Sequence, residues 1–314
     1  MRPSIDDVRH AHARIRPHVL RTPVFTSDRL NELARAELYF KCENFQQTGA
    51  FKARGATNAV FSLGDEEASR GVATHSSGNH AAALARAARL RGIAAHIVMP
   101  SNSNAAKIRA VEHYGGRITF CAPTTADRET TCARVIAETG ATLIHPYLDE
   151  RVIAGQATVA LELLEDVPAL NLIVCPVGGG GLLAGTVISA HGLKPALLVV
   201  AAEPSGADDF ARSIAAGNRV SDQQPDTIAD GLRTVVGELN FEIVRPRIHR
   251  VVTVSEAEIV SAMRTIWETM KIIVEPSAAV AYASILAGKI PEIAGQRVGV
   301  ILTGGNVDLD ALPW

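Results

Sequence analysis

The chain has 314 residues, 47% hydrophobic and 20% charged, enough for a large apolar core in one α/β domain or two lobes. Its 31 basic and 33 acidic residues leave a formal net charge of -2, and no long basic block offers a nucleic-acid surface. Aromatic residues make up only 4%, so the apolar content favours sheets covered tightly by alanine-rich helices over aromatic-lined grooves.

The N-terminal "MRPSIDDVRHAHARI" carries acids early and no apolar core of secretory length. No apolar run reaches the roughly 18 residues a membrane helix needs, so a soluble cytoplasmic protein without a membrane span is expected. Strand-like runs then follow at 37–43, 71–77, 94–100, 117–123, 171–177, 196–204 and 297–305. Alanine-rich helical runs such as 79–92 and 277–289 lie between many of them. β-branched strands separated by helices predict open, mainly parallel sheets flanked by helices. No Pro/Gly/Ser-rich linker cuts the chain, so a second lobe has to be an insertion. The short βα units at 71–145 are the expected small lobe, with 1–70 and 146–314 forming the large one. The active site then belongs in the cleft outside the carboxyl ends of the strands. Cys42, Cys121, Cys132 and Cys175 form no CxxC pair and read as buried thiols in a reducing compartment.

Four stretches carry chemistry. In "ENFQQTGAFKARGATNAV" Lys52 starts a helical pattern, and an amine held in a partly dry cleft becomes a usable base or nucleophile. Taken alone, it reads more simply as an exposed helical lysine. "THSSGNHAAAL" ends a strand in small hydroxyl residues at a helix start, suited either to receiving a carboxylate or to capping by Ser77 or Asn79. "LIVCPVGGGGLLAG" puts Gly178, Gly179, Gly180 and Gly181 between strand and helix, a cradle for phosphate or a tight packing turn. It is neither GxGxxG nor GxxxxGK[ST]. "VGVILTGGNVDL" places Thr303 at a strand terminus with Gly304 and Gly305 behind it.

Together "TGAFKARGA", "SSGNH", "VIAGQATVALEL", "PVGGGGLLAG", "AAEPSGADD" and "TGGNVDL" resemble the fold-type II pyridoxal-phosphate enzymes, two-lobed and tryptophan synthase β-like. The serine/threonine dehydratase and serine racemase family is the nearest group, over roughly residues 5 to 310. The resemblance implies that Lys52 forms the Schiff base with pyridoxal 5'-phosphate and moves protons at Cα. It implies Phe51 and Asn79 beside the cofactor, Gly178 to Gly181 on its phosphate and Thr303 at its ring nitrogen. Ser76, Ser77, Gly78, Asn79 and His80 would surround the substrate carboxylate, with Gln156, Tyr147 and Arg128 completing the substrate side. Glu203, Asp209 and the Ala207 carbonyl match a divalent-cation site, suited to Mg²⁺, Ca²⁺ or Mn²⁺. A homodimer is the family expectation.

Ala50 stands where serine is common, and "HPYLDE" departs from the usual version of its loop. The chain ends soon after "TGGNVDLDALPW", so the regulatory region of biosynthetic threonine deaminases is not expected. The implied reaction is dehydration of L-serine or L-threonine to a 2-oxo acid and ammonia. The alternatives are 3-hydroxyaspartate dehydration to oxaloacetate, and serine or aspartate racemisation with Ser77 as second proton handler. A non-catalytic pyridoxal-phosphate-binding protein is the reading from a different class.

Overall fold

A computed structural model describes residues 2–314. Ten strands form two sheets. They are β1 (Val24–Phe25), β2 (Glu37–Cys42), β3 (Val72–His75), β4 (Ala95–Pro100), β5 (Arg117–Cys121), β6 (Thr142–Leu143), β7 (Leu172–Pro176), β8 (Leu198–Pro204), β9 (Arg250–Val254) and β10 (Arg297–Leu302). The larger sheet has the order β1-β2-β10-β7-β8-β9, parallel except for the antiparallel edge strand β1. The smaller sheet, β5-β4-β3-β6, is parallel throughout. This is the two-lobed α/β architecture expected. β1, β6 and β9 have no counterpart in the sequence reading. Two of them are two residues long, and β9 lies on the sheet edge with its first residue exposed.

Both faces of the large sheet are covered, and the period-two alternation of each strand shows why. In β7, Leu172 and Val174 join one apolar cluster with Ala278 and Tyr282 of the Pro276–Leu286 helix. Ile173 and Cys175 point the other way, into a cluster with the Glu150–Asp166 and Gly181–Leu193 helices. β8 repeats the split, with Val200 and Ala202 on the first face and Val199 and Ala201 on the second. Central strands apolar on both faces therefore read as continuous hydrophobic runs.

The small sheet buries Val72, Ile97 and Met99 under the alanines of the Asn79–Arg91 helix. That core also takes in Ala56, Ala59 and Val60 of the Lys52–Phe61 helix, so this helix packs between the lobes. On its other side the helix crosses Glu150–Asp166 with backbone nearly touching backbone: a Cβ on Gly155 would stand 2.6 Å from the Gly55 Cα. All four cysteines are free, and Cys42, Cys132 and Cys175 are buried. Among the described residues no helix is long and apolar enough to cross a membrane.

Candidate active site

Lys52 is the first residue of its helix, and the chain enters that helix through a left-handed turn at Thr48 (φ 63°) and Gly49 (φ 72°). The turn is stitched to the end of β10: Ala50 bridges Gly304, and the Phe51 N–H donates to the Thr303 carbonyl at 3.0 Å. Lys52 Nζ donates to the Pro146 carbonyl at 2.8 Å and lies 5.1 Å from the centre of the Phe51 ring. Burial disfavours the ammonium form and pushes the amine down to about 8. An amine so placed is part neutral near physiological pH.

Two residues further on, Arg54 anchors the helix in a buried ionic cluster. Its guanidinium donates to Glu43 at 2.8 Å and to Glu162 at 2.7 Å and 2.8 Å. Lys41 reaches Glu162 at 2.8 Å and the Thr22 carbonyl at 2.8 Å. Two cations face two carboxylates, so the cluster is neutral and its lone pairs are used.

The "SSGNH" stretch follows β3 directly. Gly78 is the N-cap of the Asn79–Arg91 helix and supplies no side-chain bond, so capping by Ser77 or Asn79 is not what these residues do. Asn79 instead turns towards a carboxylate that the sequence reading missed. Its Nδ2 donates to both Glu275 oxygens at 3.0 and 3.2 Å, while its Oδ1 accepts from Asn306 at 2.9 Å. Glu275 is only 4% exposed, and burial, with Asp230 nearby, pushes its carboxyl up to about 7. Because it precedes Pro276 at a helix start, its sequence context reads as a cap. Ser76, Ser77 and Gly78 are half-buried, and Ser76 Oγ accepts the Gly78 N–H at 3.4 Å.

His80 and Gln156, expected on the substrate side, are both buried. His80 is buried with its Nε2 at 3.2 Å from the Ile144 carbonyl. Gln156 is buried against the Lys52–Phe61 helix, its Oε1 accepting the Gly55 N–H at 3.1 Å. His80 Nδ1 and Gln156 Nε2 are buried without a partner among the described residues, so each side chain keeps one polar atom that these contacts do not use.

The glycine turn follows β7. Gly180 has φ 86°, which only glycine adopts without strain, and a Cβ on Gly178 would stand 2.8 Å from Leu232 Cα. No acceptor among the described residues takes the N–H groups of Gly178, Gly179 and Gly180. Unspent donors converging at the start of the Gly181–Leu193 helix suit phosphate oxygens. The Tyr147 ring lies on this turn, 2.5 Å from where a Gly179 Cβ would be, and Asn240 Nδ2 ties the Tyr147 and Gly179 carbonyls at 2.9 and 2.6 Å. Thr303 is buried at the end of β10.

Next to Tyr147 stands His145, the first residue of "HPYLDE", to which the sequence alone assigns no role. Its ring meets Tyr147 edge-on at 4.6 Å and His75 at 5.3 Å. Arg128, on the Thr125–Thr139 helix, bonds only its own first turn, at Thr124 O and Thr125 Oγ1, and has no carboxylate partner among the described residues. Its charge nonetheless reaches His75 and Tyr147. A cavity of about 630 Å³ opens on the far side of Gly78 and Asn79, walled by Lys107, Asp230, Asn306 and Asp308. It is lined by neither Lys52 nor the glycine turn. An ion pair between Lys107 and Asp230 joins the two lobes beside it.

At the expected cation position, Glu203 accepts the N–H groups of Phe210 (3.1 Å) and Ala211 (2.9 Å). Asp209 Oδ2 accepts from Val236 N–H at 2.7 Å, while Oδ1 is buried without a partner. Burial pushes Glu203 up to about 9 and Asp209 up to about 6. Among the described residues no group of three or more His, Cys, Asp or Glu is arranged around a metal position. A cation here would rest on two carboxylates, a carbonyl and water.

A ligand with a carbonyl for the Lys52 amine and a phosphate for the N–H groups beyond Tyr147 would fit both sets of groups. Fold-type II pyridoxal-phosphate enzymes use that arrangement on this two-lobed fold. A family profile described as "Pyridoxal-phosphate dependent enzyme" matches residues 15–304. The chain is 55% identical over 313 residues to a protein of Paracoccus denitrificans named beta-hydroxyaspartate dehydratase, covering 99% of each. It is 47% identical to an Arabidopsis thaliana serine racemase, covering 97% of this chain and 93% of the relative. The structure of maize serine racemase superposes with a TM-score of 0.97 at 46% identity, covering 99% of this chain and 95% of that one. The chain belongs to the pyridoxal-phosphate-dependent family of serine/threonine dehydratases, serine racemases and hydroxyaspartate dehydratases.

Proposed function

We propose that this enzyme is a 3-hydroxyaspartate dehydratase that releases oxaloacetate and ammonia. The observation that carries the reading is the 55% identity, end to end, with a protein of that name. It favours hydroxyaspartate over L-serine and L-threonine, the default that the motifs alone suggest. Arg128 supports it: a guanidinium without a carboxylate partner among the described residues, whose charge, opposed by that of Glu129, is felt at His75 and Tyr147, suits a second substrate carboxylate.

The glycine turn and Lys52 fit pyridoxal phosphate, which when bound supplies the electron sink for the pair left at Cα. Lys52, near neutrality in its amine, takes the Cα proton. The electron pair becomes the Cα=Cβ bond as the Cβ–O bond breaks, and the hydroxyl leaves as water after gaining a proton. The released enamine tautomerises to an imine, and water converts it to oxaloacetate and ammonia without net oxidation. In this reading Ser76, Ser77 and the Gly78 N–H receive the α-carboxylate. Asn79, fixed by Glu275 and Asn306, flanks the cofactor with Phe51, while Thr303 meets its ring nitrogen. Glu203, Asp209 and the Ala207 carbonyl hold a divalent cation, a role supported by the orphaned Asp209 Oδ1.

The test measures oxo-acid release from L-serine, L-threonine and the four 3-hydroxyaspartate stereoisomers. At least one hydroxyaspartate should lead in kcat/KM, and Arg128→Gln should lower that value by roughly tenfold or more while sparing serine, the loss expected for a charge-assisted pair. Serine or threonine turned over as well as every hydroxyaspartate would sink the proposal.

A further inference from the structure

We propose that His145 is a positioning residue, whose ring closes the turn that holds the Pro146 carbonyl against Lys52 and the Tyr147 ring against the glycine turn. Its Nδ1 accepts the backbone N–H groups of Tyr147 at 3.4 Å and Leu148 at 3.2 Å. An accepting nitrogen must keep its lone pair, so the ring is neutral with its proton on Nε2. The surroundings agree: burial, with the positive charges of His75 and Lys52, pushes the imidazole down to about 4, and only Asp149 opposes this. Protonation at Nδ1 would put a third donor where the turn has two, and this environment opposes it throughout the physiological range.

The closed turn touches both ends of the catalytic cleft. On one side the Pro146 carbonyl accepts Lys52 Nζ at 2.8 Å. On the other, Asn240 Nδ2 joins the Tyr147 carbonyl to the Gly179 carbonyl, and the Tyr147 side chain covers the glycines. The edge-on contacts with His75 (81°) and Tyr147 (88°) keep the imidazole from rotating out of the turn. One side chain, four residues before the Asp149 cap of the Glu150–Asp166 helix, thereby sets the spacing between the lysine and the phosphate-binding donors. This inference requires the Lys52 chemistry of the family and holds whichever hydroxy amino acid is the substrate.

Two variants separate the acceptor from the ring. His145→Asn keeps an oxygen acceptor near Nδ1 without the ring, and His145→Phe keeps the ring without the acceptor. His145→Phe should lose on the order of 10- to 100-fold in kcat, the scale of a lysine misplaced by about an ångström, and bind the cofactor more weakly. His145→Asn should stay within roughly threefold on both measures, by the same scale. Nitrogen NMR of the wild-type holoenzyme, independent of activity, should show His145 with unprotonated Nδ1 and protonated Nε2 between about pH 5 and 8, the span in which an ordinary histidine titrates. A protonated Nδ1 in that range would overturn the proposal even if neither variant folds. So would wild-type behaviour of His145→Phe, or a His145→Asn enzyme as impaired as His145→Phe. Failure of the substrate panel would leave this result standing, because its readouts do not depend on which substrate wins.

Discussion

Glu162→Gln should be among the most destabilising single substitutions in the chain. Glu162 is 2% exposed and accepts from Arg54 NH1, Arg54 NH2 and Lys41 Nζ at 2.7 to 2.8 Å. Hydrogen bonds from His12 and Arg54 hold its carboxyl well below the ordinary range despite the opposing effect of burial. The amide leaves Arg54 with Glu43 and Lys41 with only the more distant Asp166 at 4.0 Å, and breaking a buried pair in this way costs about 3 to 5 kcal/mol. At about 2 °C per kcal/mol for a chain of this size, the apparent unfolding midpoint should fall by roughly 6 to 10 °C. Adding Lys41→Met restores the charge balance, so the double variant should recover part of that loss. The sign with pH follows from the lowered carboxyl: the stabilisation is complete above the ordinary carboxylate range and disappears as pH falls through the folded value. The gap between wild type and Glu162→Gln should therefore narrow in acid. Holoenzyme unfolding in urea and by heat, at neutral and acid pH, measures all three effects. A single variant within about 1 kcal/mol of wild type, or a double variant that is worse than the single, would refute the account of the cluster.

The proposed cation has its own pH signature. With no cation, Glu203 keeps its proton up to about 9 while its unfolded counterpart loses it near 4.5, so stability falls as pH rises through that window. Mg²⁺ should reverse that trend and release protons on binding, with little effect below about 6, where Asp209 is also protonated. Calorimetry in two buffers of different ionisation enthalpy reads the proton release, and Mg²⁺ binding that is independent of pH would exclude these carboxylates. Gly185→Ala should cost about 1 to 3 kcal/mol by overpacking, because a Cβ would stand 2.7 to 2.9 Å from backbone atoms of Ala157 and Ile153. Gly64→Ala, with nothing within 4 Å, is the control for overpacking and should cost no more than about 1 kcal/mol in the same denaturation assay, from its place as a helix N-cap.

The strands apolar on both faces were legible because central parallel strands alternate between two covering layers and so show no polar positions. β1 and β6 were not, since two residues carry no periodicity. Lys52 and the glycine turn could be read because each depends on its own neighbours: a helix start after a turn, and a strand running into glycines. Gln156 and His80 stand within the quoted motifs "VIAGQATVALEL" and "SSGNH", yet their hydrogen bonds to Gly55 N–H and Ile144 O cross to segments that sequence spacing does not display. Glu275 was hidden for the opposite reason. A glutamate before proline at a helix start is ordinary, and only the fold brings it to Asn79, 196 residues away in sequence.

The Lys52 amine shows why the site cannot be read from its motifs alone. Its basicity is lowered by enclosure, and that enclosure comes from segments far apart in the chain. The start of its helix is pinned by Thr303, its acceptor is the Pro146 carbonyl, and its helix is anchored through Arg54 to Glu43, just past strand β2, and to Glu162. Proline offers no polar side chain, and a carbonyl oxygen has no letter in a sequence. Arg54, Glu162 and Thr303 stand within the motifs, but Pro146 lies outside all six, so a substitution that shifts its carbonyl can alter catalysis while every motif stays intact. Phe51 N–H to Thr303 O is the sharpest instance, because it couples the lysine helix to the strand that carries the residue assigned to the cofactor ring nitrogen. Strain at either end of that bond is transmitted to both.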